Sequence, residues 1–242
     1  MSYDSNNRWS ASANANTAIP QVGIDVGLRN YMLRIYNYMA GGLAITGVVA
    51  YLAASTGFYE QIAHTPFIWV VVFAPLAVVM LLSYRLQKMS LGAAQATFWG
   101  FAALMGLSLS YIFLVYTGAS IAQVFFITAA TFLAMSLYGY TTKSDLSKFG
   151  SFLMMGLIGI VIASLVNIFF ASAALQFAIS IIGVLVFTGL TAWDTQRIKE
   201  IYWEGDGNEI AGKKAIMGAL SLYLDFINLF IMLMQLMGTR RD

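Results

Sequence analysis

Cysteine is absent from the 242 residues, which excludes disulfides, thiolate metal sites and thiol catalysis. The single histidine, His64, leaves no pair for a metal centre and argues against Ser-His-Asp chemistry. Proline occurs only three times, and never after Pro75. Charge is scarce as well: 10% of residues are charged, against about 25% in a soluble domain. The charges that remain form short clusters between apolar runs and build no basic face, so the net charge of +2 implies no nucleic-acid partner. What is abundant is hydrophobicity. Apolar residues make up 60% of the chain and the mean hydropathy is +0.75, which places it in a lipid bilayer.

Residues 1–26 are polar, rich in Asn, Ser and Ala, and read as a flexible tail. They lack the apolar core of a cleavable signal peptide, so the first span is expected to serve as the targeting signal. Residues 27–34 form an amphipathic lead-in. Seven apolar runs follow, at about 36–54, 67–86, 93–116, 119–140, 149–170, 173–196 and 215–237. Each is close to the roughly 20 residues that cross a hydrocarbon core, and no period-two alternation competes. The fold class expected is an all-α integral membrane protein, a seven-helix bundle over residues 27–242. Gly41, Gly42 and Gly47 are expected to let a neighbouring helix approach the first span closely.

Of the 13 basic residues, all but Arg240 and Arg241 fall in the tail or in alternate connections. That bias predicts a cytoplasmic N-terminus and an external C-terminus.

The last run carries an acid near its middle, Asp225. Insertion scales put the cost of a carboxylate there at ~2.5–3.5 kcal/mol, so it needs a partner and a purpose. Ser221, Asp225, Asn228, Met232 and Gln235 recur at three- and four-residue steps, a polar seam on one helix face. The preceding run offers Thr188, Thr191 and Asp194 at matching steps. Taken singly, the hydroxyls and amides read as ordinary interhelical hydrogen-bonding groups; the two carboxylates do not. Asp194 and Arg85 lie at similar depth, which makes Arg85 a candidate counter-ion. Asp225 lies eleven residues past Lys214, and meets Asp194 only if the seventh helix starts early or the sixth continues beyond Arg197. If they meet, the two acids share a proton and form a latch between helices. Losing that proton replaces attraction with repulsion, and exposes an anionic site suited to transient binding of a hard cation such as calcium.

Three segments carry a family resemblance: LRNYMLRIYNYM (28–39) leading into AGGLAITG (40–47), TAWDTQR (191–197), and GALSLYLDFINLF (218–230). Together they resemble the Bax inhibitor (TMBIM) family and its bacterial branch typified by YccA. The resemblance implies a seven-helix bundle with the last helix at its centre. It also implies a di-aspartyl pH sensor at Asp194 and Asp225, and a calcium leak gated by protons. A basic residue on the second span is implied to engage the acids, and Arg85 is the match. No catalytic residue and no cofactor is implied, calcium being the permeant ion. A different role that the likeness implies is non-transporting restraint of a membrane-bound ATP-dependent protease.

Two rivals are weaker. An intramembrane aspartyl protease needs Tyr-Asp and Gly-x-Gly-Asp runs with a later Pro-Ala-Leu; here Asp194 follows Trp193, and Asp225 follows Leu224. A retinal protein needs a lysine within the last span, and residues 215–237 have none.

Overall fold

A computed structural model describes residues 26–241. The expected polar tail lies outside the described residues except for Val26, which opens the first helix. In chain order the helices are α1 (Val26–Ser55), α2 (Phe58–Ala63), α3 (Ile68–Arg85), α4 (Leu91–Leu109), α5 (Tyr111–Val115), α6 (Gly118–Thr141), α7 (Ser147–Phe170), α8 (Ala173–Glu200) and α9 (Asn208–Met237). With α4 and α5 counted as one crossing, seven segments are long and apolar enough to span a membrane. The fold is an all-α membrane bundle.

The helix starts follow from local chemistry. Ser90, Thr117 and Ser172 each accept a hydrogen bond from the backbone N–H three residues on, at 3.3 Å, and so cap α4, α6 and α8. Asp145 does similar work before α7, where its Oδ1 accepts from the Ser147 N–H at 2.8 Å. Hydrogen bonding to Ser147 and the nearby Lys148 charge hold the Asp145 carboxyl below its usual range. Two boundaries differ from the expectation. The amphipathic lead-in is continuous with the first span as a single α1, because no proline or capping residue separates them. The third span breaks at Ser110, whose hydroxyl donates to the Gly106 carbonyl at 3.0 Å and competes with the helix ladder.

The last helix is the core of the bundle. Two thirds of its most apolar stretch (67%) is buried, against at most 39% for any other crossing. It packs on α8, α1, α6 and α4, while α3 and α7 lie at the periphery and turn Phe73, Leu76, Phe152 and Ile168 outward to lipid. Tyr223 anchors this arrangement. Its hydroxyl pairs with Thr46 Oγ1 at 2.6 Å, Thr46 donates onward to the Ala102 carbonyl at 2.8 Å, and its ring meets Phe98 and Phe101 edge-on. One tyrosine thereby ties α9 to α1 and α4. Of the three glycines singled out on α1, Gly41 faces Trp99, and Gly42 faces Phe98 and Tyr223, both closely. Gly47 makes no close approach: a methyl group there would meet nothing within 4 Å, because it borders a cavity.

Helix α8 is wedged on three sides. Successive residues of an α-helix point about 100° apart, so Ala192, Trp193 and Asp194 face three different neighbours. The Ala192 carbonyl lies against Gly139 of α6, and the Trp193 ring lies on Gly150 of α7. The third direction belongs to α9. A side chain at position 139 would collide with backbone, which cannot move aside cheaply. Gly139→Ala is therefore expected to lower unfolding stability in detergent by about 1–3 kcal/mol. Gly100→Ala, with nothing within 4 Å, should leave stability unchanged or raise it by about 0.5–1 kcal/mol.

Candidate functional site: a buried acid pair

The third direction is where the acids meet. Asp194 and Asp225 lie within hydrogen-bonding reach of each other across the α8–α9 contact. Asp225 is 5% exposed, and Asp194 is half-buried. The depth difference implied by the chain is resolved at both ends. Helix α8 runs past Arg197 to Glu200, and α9 begins at Asn208, well before the apolar run. Both helices thus extend beyond their apolar stretches, and the acids come level.

A hydrogen bond between two carboxyl groups needs a proton on one of them, since an ionised carboxylate only accepts. Geometry of this kind therefore has room for one shared proton. The other Asp225 oxygen, Oδ2, is buried with no hydrogen-bond partner. The cation whose charge reaches Asp194 is Arg197, one turn along the same helix, with its guanidinium 5.4 Å from the Trp193 ring centroid. Arg85, the counter-ion expected from depth, is exposed at the end of α3 and forms no ion pair among the described residues. Its helix packs chiefly on α4, so equal depth does not bring it near α8.

The polar seam of α9 runs along α8. Beyond Asp225, Met232 fills the space opposite Gly183, and Gln235 Oε1 accepts from Ser180 Oγ at 2.8 Å and from Gln176 Nε2 at 2.7 Å. Asn228 is turned onto its own helix and donates to the Leu224 carbonyl at 2.8 Å. Thr191 likewise donates to the Phe187 carbonyl at 2.8 Å and does not touch the acids through its hydroxyl. Ser221 and Thr188 are half-buried. Among the described residues no group of three or more His, Cys, Asp or Glu could hold a metal ion. Two acids alone supply at most about four of the six to eight oxygens calcium takes, so water and carbonyls must supply the rest.

A second network beside the pair escaped sequence reasoning. Tyr36 of α1 bonds Ser136 of α6 at 2.6 Å, Ser136 bonds Thr195 of α8 at 3.0 Å, and Thr195 donates to the Thr191 carbonyl at 2.7 Å. Elsewhere α1 and α6 leave a crevice between them. An apolar cavity of ≈ 310 Å³ lies on one side of this link, floored by Phe226, Ile227 and Phe230 of α9, and one of ≈ 290 Å³ lies on the other, beside Arg29 and Leu137. Only the placement of α1 against α6 reveals the link, because Ser136 looks like any small residue in an apolar run. Tyr36→Phe should cost about 1 kcal/mol of unfolding stability in detergent. Ser136→Ala should cost at least as much, since Tyr36 and Thr195 both lose a partner.

Comparison with known proteins agrees with this architecture. A family model described as "Inhibitor of apoptosis-promoting Bax1" matches residues 28–242. The Rickettsia prowazekii protein RP147 is 52% identical over 219 residues, covering 90% of this chain and 93% of its own. The Escherichia coli inner membrane protein YbhL is 49% identical, covering 89% of this chain and 94% of its own. A Caulobacter vibrioides protein is 42% identical across 99% of both chains. With a matching family model over nearly its whole length and relatives this similar, the chain belongs to the Bax inhibitor family.

Proposed function

We propose that this protein is a multi-pass inner-membrane cation leak channel, permeable to calcium and gated by a proton shared between Asp194 and Asp225. The observation that carries the reading is the meeting of two carboxyl groups on adjacent helices, Asp225 buried and Asp194 half-buried, with no ion pair to a third helix among the described residues. Such groups in a membrane commonly mark ion routes. Alternating basic clusters support a cytoplasmic N-terminus, and the E. coli relative supports the inner membrane. The α8–α9 connection then faces the cytoplasm.

With the proton present, the pair is a hydrogen bond that fastens α8 to α9. Without it, two anions face each other. At 4 Å and an effective dielectric of 20, like charges repel by roughly 4 kcal/mol. That exceeds the roughly 1 kcal/mol a typical hydrogen bond contributes, so deprotonation parts the helices. The sign follows: alkaline cytoplasm opens, acid closes. Outward of Asp225 the rings of Phe125 and Phe132 each pack on Phe226 with centroids 5.6 Å apart, forming an apolar plug that parting helices would loosen. A calcium ion passing the two anions would be held weakly, as conduction requires.

Calcium flux into liposomes holding the purified protein and an internal indicator tests this reading. Wild-type flux should rise as the pH on the α8–α9 side rises. Asp194→Asn and Asp225→Asn, whose amides donate without a titratable proton, should flatten that profile. Variants that keep both flux and profile, or a wild type that passes no cation, defeat the channel reading; a non-conducting wild type would leave a regulator of other membrane proteins.

A further inference from the structure

The opposite end of the bundle holds a polar assembly that the acid pair does not use. Beyond α9 the chain turns back onto the α5–α6 connection. The Thr117 N–H donates to the Thr239 carbonyl at 3.0 Å, the Thr239 N–H to Ser120 Oγ at 2.9 Å, and the Arg241 N–H to the Val115 carbonyl at 2.8 Å. Tyr116 and Arg240 pair as an isolated antiparallel bridge. This strap fixes Arg240 at a cavity of ≈ 450 Å³ bounded by α5, α8 and α9. Tyr111, Tyr116, Gln176, Gln235 and Arg240 supply its polar lining, with no Asp or Glu among them.

The orientation of Gln235 can be traced from a backbone donor. The Ser172 N–H donates to Asn167 Oδ1 at 3.0 Å, which fixes the Asn167 amide with its nitrogen toward Gln176. Asn167 Nδ2 then donates to Gln176 Oε1 at 3.1 Å, and Gln176 Nε2 donates to Gln235 Oε1 at 2.7 Å. The Gln235 carbonyl is occupied, and its NH2 is left at the cavity with no acceptor among the described residues. Arg240 has no ion pair among the described residues, and the Tyr111 hydroxyl has no hydrogen-bond partner there. The cavity therefore presents a guanidinium and an amide NH2, which only donate, and a tyrosine hydroxyl, which can donate; the guanidinium is charged. Arg240 is also one of the two basic residues that the alternating charge pattern leaves unexplained.

We propose that this cavity is an oxyanion site that binds a phosphate group, with Arg240 as the charged ligand and Gln235 and Tyr111 as neutral donors. Arginine's planar fork suits a phosphate's paired oxygens, and charge-assisted bonds of this kind are about twice as strong as neutral ones. The phosphate can be free inorganic phosphate or the headgroup of a phospholipid in the adjoining leaflet, since both present the same oxygens.

The test uses the full chain purified in a non-ionic detergent. Inorganic phosphate is titrated by calorimetry in one arm. In the other, native mass spectrometry compares retention of phosphatidylglycerol with that of diacylglycerol carrying the same chains. Arg240→Gln should weaken phosphate or phosphatidylglycerol binding about tenfold or more. Its strap is held by backbone bonds, so its melting temperature should match wild type. Tyr111→Phe should weaken binding a few-fold. Loss of inorganic phosphate binding in Arg240→Gln supports a free-anion site, and loss confined to phosphatidylglycerol supports a headgroup site. Wild-type protein that binds neither, or retains diacylglycerol as well as phosphatidylglycerol while ignoring phosphate, overturns the proposal. So does an Arg240→Gln variant that binds like wild type.

Discussion

A carboxyl group set in the middle of an apolar helix must find its hydrogen-bond partner inside the protein, because the surrounding hydrocarbon offers none. That requirement organises this fold. Asp225 sits within a helix buried on most of its circumference, and the partner it finds is another acid, Asp194. Two acids satisfy each other only while one carries a proton. On the proposed reading, that makes a contact between neighbouring crossings conditional on proton activity, and an ordinary helix pair becomes a candidate switch.

The rest of the bundle supports that contact. Gly139 and Gly150 let α6 and α7 close on α8 at the residues immediately before Asp194, and Asp194 itself turns to α9. Tyr223, two residues before Asp225, is held through Thr46 to α1 and α4. Each acid therefore sits beside a residue locked to a third helix. Motion between α8 and α9 is constrained by packing on both flanks, and the Tyr36–Ser136–Thr195 chain adds a further tie to α1 and α6. The α1–α6 crevice has a cavity on either side of that tie.

The two ends of the α8–α9 pair differ in chemistry. Toward the α8–α9 connection lie the acids, with Arg197 one turn away and Lys214 bonded to Asp206 and the Ile201 carbonyl. Toward the C-terminus the same helix face carries only amides and a hydroxyl, oriented by a relay from a backbone N–H and ending on a cavity with an arginine at its rim. Gln235 lies ten residues past Asp225, ~15 Å at 1.5 Å per residue, so the two polar regions belong to opposite halves of the bundle.

Hydrophobic run length alone marks the seven crossings, because bilayer thickness fixes how many apolar residues a helix needs. The three-to-four-residue spacing of Ser221, Asp225, Asn228, Met232 and Gln235 marks the face of the last helix that meets its neighbour, because helical period is a local property. Depth along a helix is not local. How far α8 outlasts its apolar run, and how early α9 begins, depend on packing beyond the membrane segment, and that decides whether the acids come level. Lateral neighbourhood is also tertiary: Arg85 shares a depth with Asp194 but sits on a helix packed chiefly on α4, while Arg197 is near through its own helix. Periodicity says which way a side chain points from its own axis; only the assembled bundle says which other axis stands there.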